Sequence, residues 1–267
     1  WWATTDRTLG NKRLLVLRGV LGLCALQACA TVPEAPRQPD VDRRPFPAVR
    51  FATISDPHYF DPALGTTGIY FQRAVRSELK LFADADEIVR SALADLPTNN
   101  VAFLIIAGDL TKDGERSSHE RMAELLGEVE DRGVAVYVMP GNHDLENRMA
   151  TRYLTNGVED VESVNRRQFA ALYARFGFQE AIARDRHSLS YAVEPVAGLW
   201  LIMLDTVKPT ILPGKRPPPG TGEVQRETMD WLERVLRQAR RRDKAVLVAL
   251  HHGLLDHFPR EDVYFHH

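Results

Sequence analysis

Four apolar runs in this chain each stop at a cluster of Asp, Asn or His. Phe51–Ile54 runs into Ser55-Asp56-Pro57-His58, and Val101–Ala107 into Gly108-Asp109. Val134–Met139 runs into Pro140-Gly141-Asn142-His143-Asp144, and Ala245–Leu250 into His251-His252. The runs are rich in β-branched and aromatic residues, as buried strands are, and Pro140-Gly141 ends the third of them. In an open α/β sheet, ligands bind outside the carboxyl ends of the strands. Four polar clusters at four such ends can therefore converge, and a metal centre is the simplest common cause. Asn142 and His143 are neighbours on the chain, so on extended backbone they point to opposite sides and serve different partners.

The bulk sequence excludes little. With 34 Lys and Arg against 36 Asp and Glu, the net charge of -2 offers no strong basic field for nucleic acid. The only cysteines are Cys24 and Cys29, so any metal held further along must use N and O donors. Lys12, Arg13 and Arg18 precede the apolar run Gly19–Ala28, the pattern of a secretory signal too short to span a bilayer. Leu26-Gln27-Ala28-Cys29 resembles the lipobox of bacterial lipoproteins. That implies an exported protein, lipid-anchored at Cys29 and facing the periplasm or cell exterior. The expected organisation is a signal region over 1–29, a Pro-rich tether over 30–47 and a folded domain over 48–267.

Along that domain, periodicity predicts a long helix over Gln72–Leu96, a helix from about Ser118 with a Ser117/Glu120 capping box, and one around Ser163–Phe176. Strands are expected over His187–Val193 and Leu199–Leu204, and a helix over Glu223–Arg241. His119 reads as exposed, and Asp113 and Glu115 as loop or rim charges. Tyr59, Phe60, Tyr70 and Phe71 either line a substrate pocket or pack their loop down. Asp205 either orients a metal ligand or caps a turn. The basic, Pro-rich loop Val207–Gly222 reads as a surface loop within reach of an anionic substrate. The alternation of strand and helix argues for an α/β layered fold with a partly parallel sheet.

Pro57 favours extended backbone at Asp56, and residues two apart on a strand share a face, so one ion can take both Asp56 and His58. Asp109 follows a glycine that leaves room for its carboxylate to lean between two ions. Asn142 offers a carbonyl oxygen and His251 an imidazole. This mixed shell suits Mn, Fe or Zn.

Taken in order, D-x-H (Asp56, His58), G-D (Gly108-Asp109), G-N-H-D (Gly141–Asp144) and the strand-end His251 resemble the calcineurin-like metallophosphoesterase superfamily, over about Val49–His252. The resemblance implies a β-sandwich-like core with a mixed, partly parallel sheet flanked by helices, and hydrolysis of a phosphate ester at a binuclear centre. Asp56, His58 and Asp109 would hold one ion, and Asp109, Asn142 and His251 the second. His143 would be no ligand but would give a proton or hydrogen bond to the leaving oxygen, oriented by Asp144, with His252 behind the ligands. Two divalent or trivalent ions about 3.5–4 Å apart would polarise the phosphoryl oxygen and lower the pKa of water towards about 7 to supply hydroxide. The substrate would be a small-molecule phosphate ester or a lipid phosphate. The family's later Gly-His-x-His is absent up to His267, so the domain is expected to be incomplete at its C-terminal side. The competing expectation is a non-catalytic, lipid-anchored binding protein of the same fold with a degenerate site.

Overall fold

The structure, a computed structural model, describes residues 46–208, 222–254 and the backbone of 265–266. The signal, lipobox and tether expectations lie outside the described residues, as does most of the Pro-rich loop. Within them the strands are β1 Phe51–Ile54, β2 Phe103–Ala107, β3 Ala135–Met139, β4 Thr151–Leu154, β5 Gly157–Asp160, β6 Ala183–Arg184, β7 Tyr191–Val196, β8 Leu199–Leu204, β9 Gly222–Glu223, β10 Ala245–Leu250 and β11 Phe265–His266. The helices are α1 Gly68–Ser77, α2 Ala85–Asp95, α3 Arg116–Glu130, α4 Arg166–Leu172 and α5 Arg226–Arg241.

Two sheets face each other. One is all parallel, ordered β1-β2-β3, with Ile54 opposite Ile106 and Ile106 opposite Val138. The other is mixed, ordered β10-β8-β7-β6, with β10 parallel to β8 and the rest antiparallel. Strand β8 is buried on both faces, and its two-residue period divides the work. Leu199, Leu201 and Met203 join the core shared with β2 and β3, whereas Trp200, Ile202 and Leu204 pack with Trp231, Val235 and Ala239 of α5. On the other side, Val89 and Leu93 of α2 and Met122, Leu125 and Val129 of α3 join the central core. The Tyr191 hydroxyl donates across the sandwich to the Val138 carbonyl at 2.8 Å. The layers are therefore helix, sheet, sheet, helix. The four strand ends singled out above belong to two facing sheets, three to one and β10 to the other, rather than to one open sheet.

Several expected boundaries change. The helix expected over Gln72–Leu96 is two helices, because Glu78 leaves α1 in an extended conformation (φ -107°, ψ 148°). The intervening segment turns Phe82 inward against Phe60 and Phe71 and brings Lys80 to the Lys112 carbonyl. Helix α3 begins at Arg116, with Glu115 as N-cap and no side-chain cap; Ser117 donates to Asp61 instead of closing a capping box. Helix α4 does use a capping box, Asn165 with Gln168. Tyr59, Phe60 and Phe71 are buried, and Phe60, Phe71, Phe82 and Tyr153 form one cluster, so these aromatics pack the loop. Asp205 accepts from Arg166, Leu189 N and Val207 N, which is a turn-capping role. No helix among the described residues is long and apolar enough to cross a membrane.

Candidate metal centre

The loops after β1 and β2 are zipped together by Asp56 N to Gly108 O, His58 N to Asp109 O and Tyr59 N to Leu110 O, at 3.0–3.2 Å. Asp56, His58 and Asp109 all have positive φ, at 54°, 43° and 51°. The expectation of extended backbone at Asp56 is therefore overturned. A left-handed turn, sparsely populated for residues with a Cβ, presents Asp56 and His58 together. Ligand atoms of Asp56, His58 and Asp109 lie within 4.8 Å of one another.

Asp109 is the hub. Its Oδ2 lies 3.7 Å from His58 Nε2 and 3.6 Å from His251 Nε2. Its Oδ1 accepts the His143 amide at 2.8 Å. His251 Nε2 is 3.1 Å from Asn142 Oδ1, and its Nδ1 donates to the Ala107 carbonyl at 2.9 Å, which presents Nε2 as the ligand-competent nitrogen. Two glycines make room. A Cβ on Gly108 would come within 2.6 Å of the His251 ring, and one on Gly141 within 2.3 Å of Asp109.

This donor set fits a pair of cations. Burial pushes the Asp109 carboxyl up to about 6 against the opposing pull of His251, and a cation is what stabilises a buried carboxylate. Burial, helped by Lys80, lowers His58 to about 4, leaving the neutral imidazole that metals require. Among the described residues no thiolate is near, and the O and N donors suit hard to borderline ions.

His143 stands beside this set, its ring edge-on to His58 at 5.2 Å. Asp144 does not orient it. The Asp144 carboxylate accepts from Leu110 N, Thr111 N, the Thr111 hydroxyl and Gly141 N at 2.8–3.0 Å, and so clamps the β2 and β3 loops to each other. His143 Nδ1 instead donates to Asp113 Oδ1 at 2.8 Å, with Lys80 Nζ also 2.8 Å from that nitrogen. Burial works to lower the His143 pKa, but the bond to Asp113 and the charge of Asp109 outweigh it and hold the imidazole above its ordinary value.

Asp113 is buried, not on a rim. It accepts from Lys112, whose side chain is 2% exposed and also pairs with Glu78. Burial raises the Asp113 carboxyl, yet the bond from His143 and the charges of Lys112 and Lys80 bring it well below the usual carboxylate range. His119 is also fully buried, bonded to the Tyr173 hydroxyl at 2.8 Å and the Asp144 carbonyl at 3.0 Å; it braces the clamp and is exposed nowhere. Glu115 is buried as well. The sequence signal that could have found Asp113 is its place four residues beyond Asp109 in one loop. Lys80 carries no such signal. His252 lies behind His251, its Nδ1 2.7 Å from the Thr206 hydroxyl.

A family model of the calcineurin-like phosphoesterases matches residues 49–266. The chain belongs to the calcineurin-like phosphoesterase family. That family implies divalent metal ions and phosphoester hydrolysis. Among solved structures, the crystal structure of a dimetal phosphatase from Danio rerio aligns with a TM-score of 0.50 at 15% identity, covering 78% of this chain and 71% of that one. That likeness concerns the fold alone. No curated protein matches.

Proposed function

We propose that this protein hydrolyses a phosphate ester at a binuclear metal centre, with Asp56, His58 and Asp109 holding one ion and Asp109, Asn142 and His251 the other. The observation that carries this reading is the single carboxylate oxygen of Asp109 lying 3.7 Å from one imidazole and 3.6 Å from another. When bound, the ions supply charge neutralisation at the phosphoryl group and activation of the attacking water. Asp109 holds the two donor groups in register. His143, kept protonated by Asp113, gives its proton to the leaving oxygen, while Asp113 fixes the ring and the tautomer. Lys80 and Lys112 fix Asp113 in turn. Asp144 keeps the loop that carries Asn142 and His143 pressed on the loop that carries Asp109.

The same proposal places the domain at a membrane surface through an N-terminal lipid anchor, on the strength of the charged flank, the short apolar run and Cys29. Cys29→Ser is expected to release the protein from the membrane fraction, and retention there would refute the anchor.

The test of the catalytic reading is metal analysis together with turnover of an aryl phosphodiester and an aryl phosphomonoester after loading with Mn, Fe or Zn. His143→Ala is expected to keep its metal and lose about 10²–10⁴ in rate. Parental turnover in that variant would sink the role of His143, and a wild-type chain that takes up no metal would sink the centre itself.

A further inference from the structure

A cavity of about 350 Å³ opens directly from the candidate centre. Asp56 and His58 stand at its polar end, with Lys80, the lysine 2.8 Å from His143 Nδ1. Beyond them its lining turns apolar. Ile106, Met122 and Leu126 are buried side chains of the lining, and Leu79, Leu81 and Ile88 are exposed ones. The only other side chain there able to hydrogen-bond is Ser55, whose hydroxyl already donates to Asp56. The Lys80 ammonium already donates to the Lys112 carbonyl and to Asp113.

We propose that this cavity receives the leaving alcohol of the substrate, and that the alcohol is apolar: an alkyl, acyl-bearing or aryl group whose phosphate lies at the metal donors. The inference rests on the hydrolase reading above and names its substrate class. The lysine at the cavity's polar end touches the acid that protonates the leaving oxygen, so the cavity serves the departing side of the phosphorus. A nucleoside would bring a base and ribose with several polar groups, and these walls would leave them unpaired, at a cost of about 1–3 kcal/mol for each buried group. An alkyl or aryl group needs no such partners. The volume is at the small end of ligand pockets, which run from about 300 to 1,000 Å³, so the cavity fits one short chain or ring system rather than a whole diacyl lipid. Four of the apolar lining residues, Leu79, Leu81, Ile88 and Ala92, are exposed, so a longer chain can leave the cavity on that side.

The experiment uses the metal-loaded protein and non-hydrolysable alkylphosphonates from methyl to octyl, with affinity read by calorimetry and by inhibition of aryl phosphate turnover. Affinity is expected to rise roughly fourfold per methylene and to level off once the cavity is full. Ala92→Trp, at an exposed lining position, is expected to flatten that dependence by filling the space, and Ile88→Ser to weaken it. Methyl- and hexylphosphonate binding equally well, with turnover intact, would overturn the apolar pocket and leave the hydrolase reading standing. A chain-length dependence that survives both variants would also overturn it. If no phosphonate binds and no ester is turned over, both readings fall together.

Discussion

The two halves of the candidate centre are built differently. The half that holds Asn142 and His251 is backed by buried polar groups that bond one another: the Asp144 clamp, His119 beneath it, and Asp113 with Lys112. The half that holds Asp56 and His58 rides on β1, at the end of its sheet next to β2 only, and the Asp56 side chain is 50% exposed. The first half is over-determined by fold contacts, and the second depends on a left-handed turn. The difference teaches that stability and metal affinity are separable here. The buried half is expected to contribute to both, and the exposed Asp56 side chain to metal affinity alone.

Asp109 belongs to both halves, so its loss should have the largest effect. Asp109→Asn is expected to reduce metal content from two ions towards none and to cost more than about 10²-fold in turnover. Stoichiometry by elemental analysis is the measurement; two ions retained in the variant would show that the halves do not share this carboxylate.

Next come paired substitutions that set the halves against each other. Asp144→Ala removes acceptors from three buried amides and a hydroxyl, and breaking such a network costs about 3–5 kcal/mol. Its thermal midpoint should fall by about 10 °C or more. Asp56→Asn should lose one ion while the stability of the metal-free protein stays within about 0.5 kcal/mol of the parent, as exposed positions do. Equal thermal losses from the two would erase the distinction.

The strand ends were legible because an apolar run followed by Gly, Pro, Asp or His carries a local signal. Gly108 and Gly141 were readable for the same reason: close approach demands a residue without a Cβ. What escaped were the buried titratable groups. Asp113, Glu115 and His119 look like ordinary surface residues, because a sequence carries their polarity but not the partners that make burial tolerable. Lys80 escaped with them. It lies inside a window whose helical spacing concealed the break at Glu78, and the contacts that break it, Phe82 to Phe60 and Lys80 to the Lys112 carbonyl, come from distant sequence. The resemblance implied Asp144 as the partner that orients His143, whereas the turn aims that carboxylate at the Leu110, Thr111 and Gly141 amides and the Thr111 hydroxyl.

The smallest effect concerns Glu115, at the base of the buried half. Its Oε2 accepts from Asp113 N, and its Oε1 is buried with no partner among the described residues. Burial raises its pKa from an ordinary 4.5 to about 7. A raised folded pKa means that its contribution to stability is complete below about 4.5 and is lost as the pH rises through about 7, where the folded state must ionise a buried acid. Glu115→Gln keeps an acceptor for Asp113 N and removes the titration. The variant is therefore expected to flatten the stability profile between pH 5 and 7.5 by about 1–2 kcal/mol, measured by denaturant unfolding of the metal-free protein. Because Glu115 touches no candidate ligand, its metal stoichiometry should match the parent. A profile that stays as steep in the variant would assign the pH dependence to another buried acid, Asp109 above all, and would remove Glu115 from the account of how the buried half sets stability.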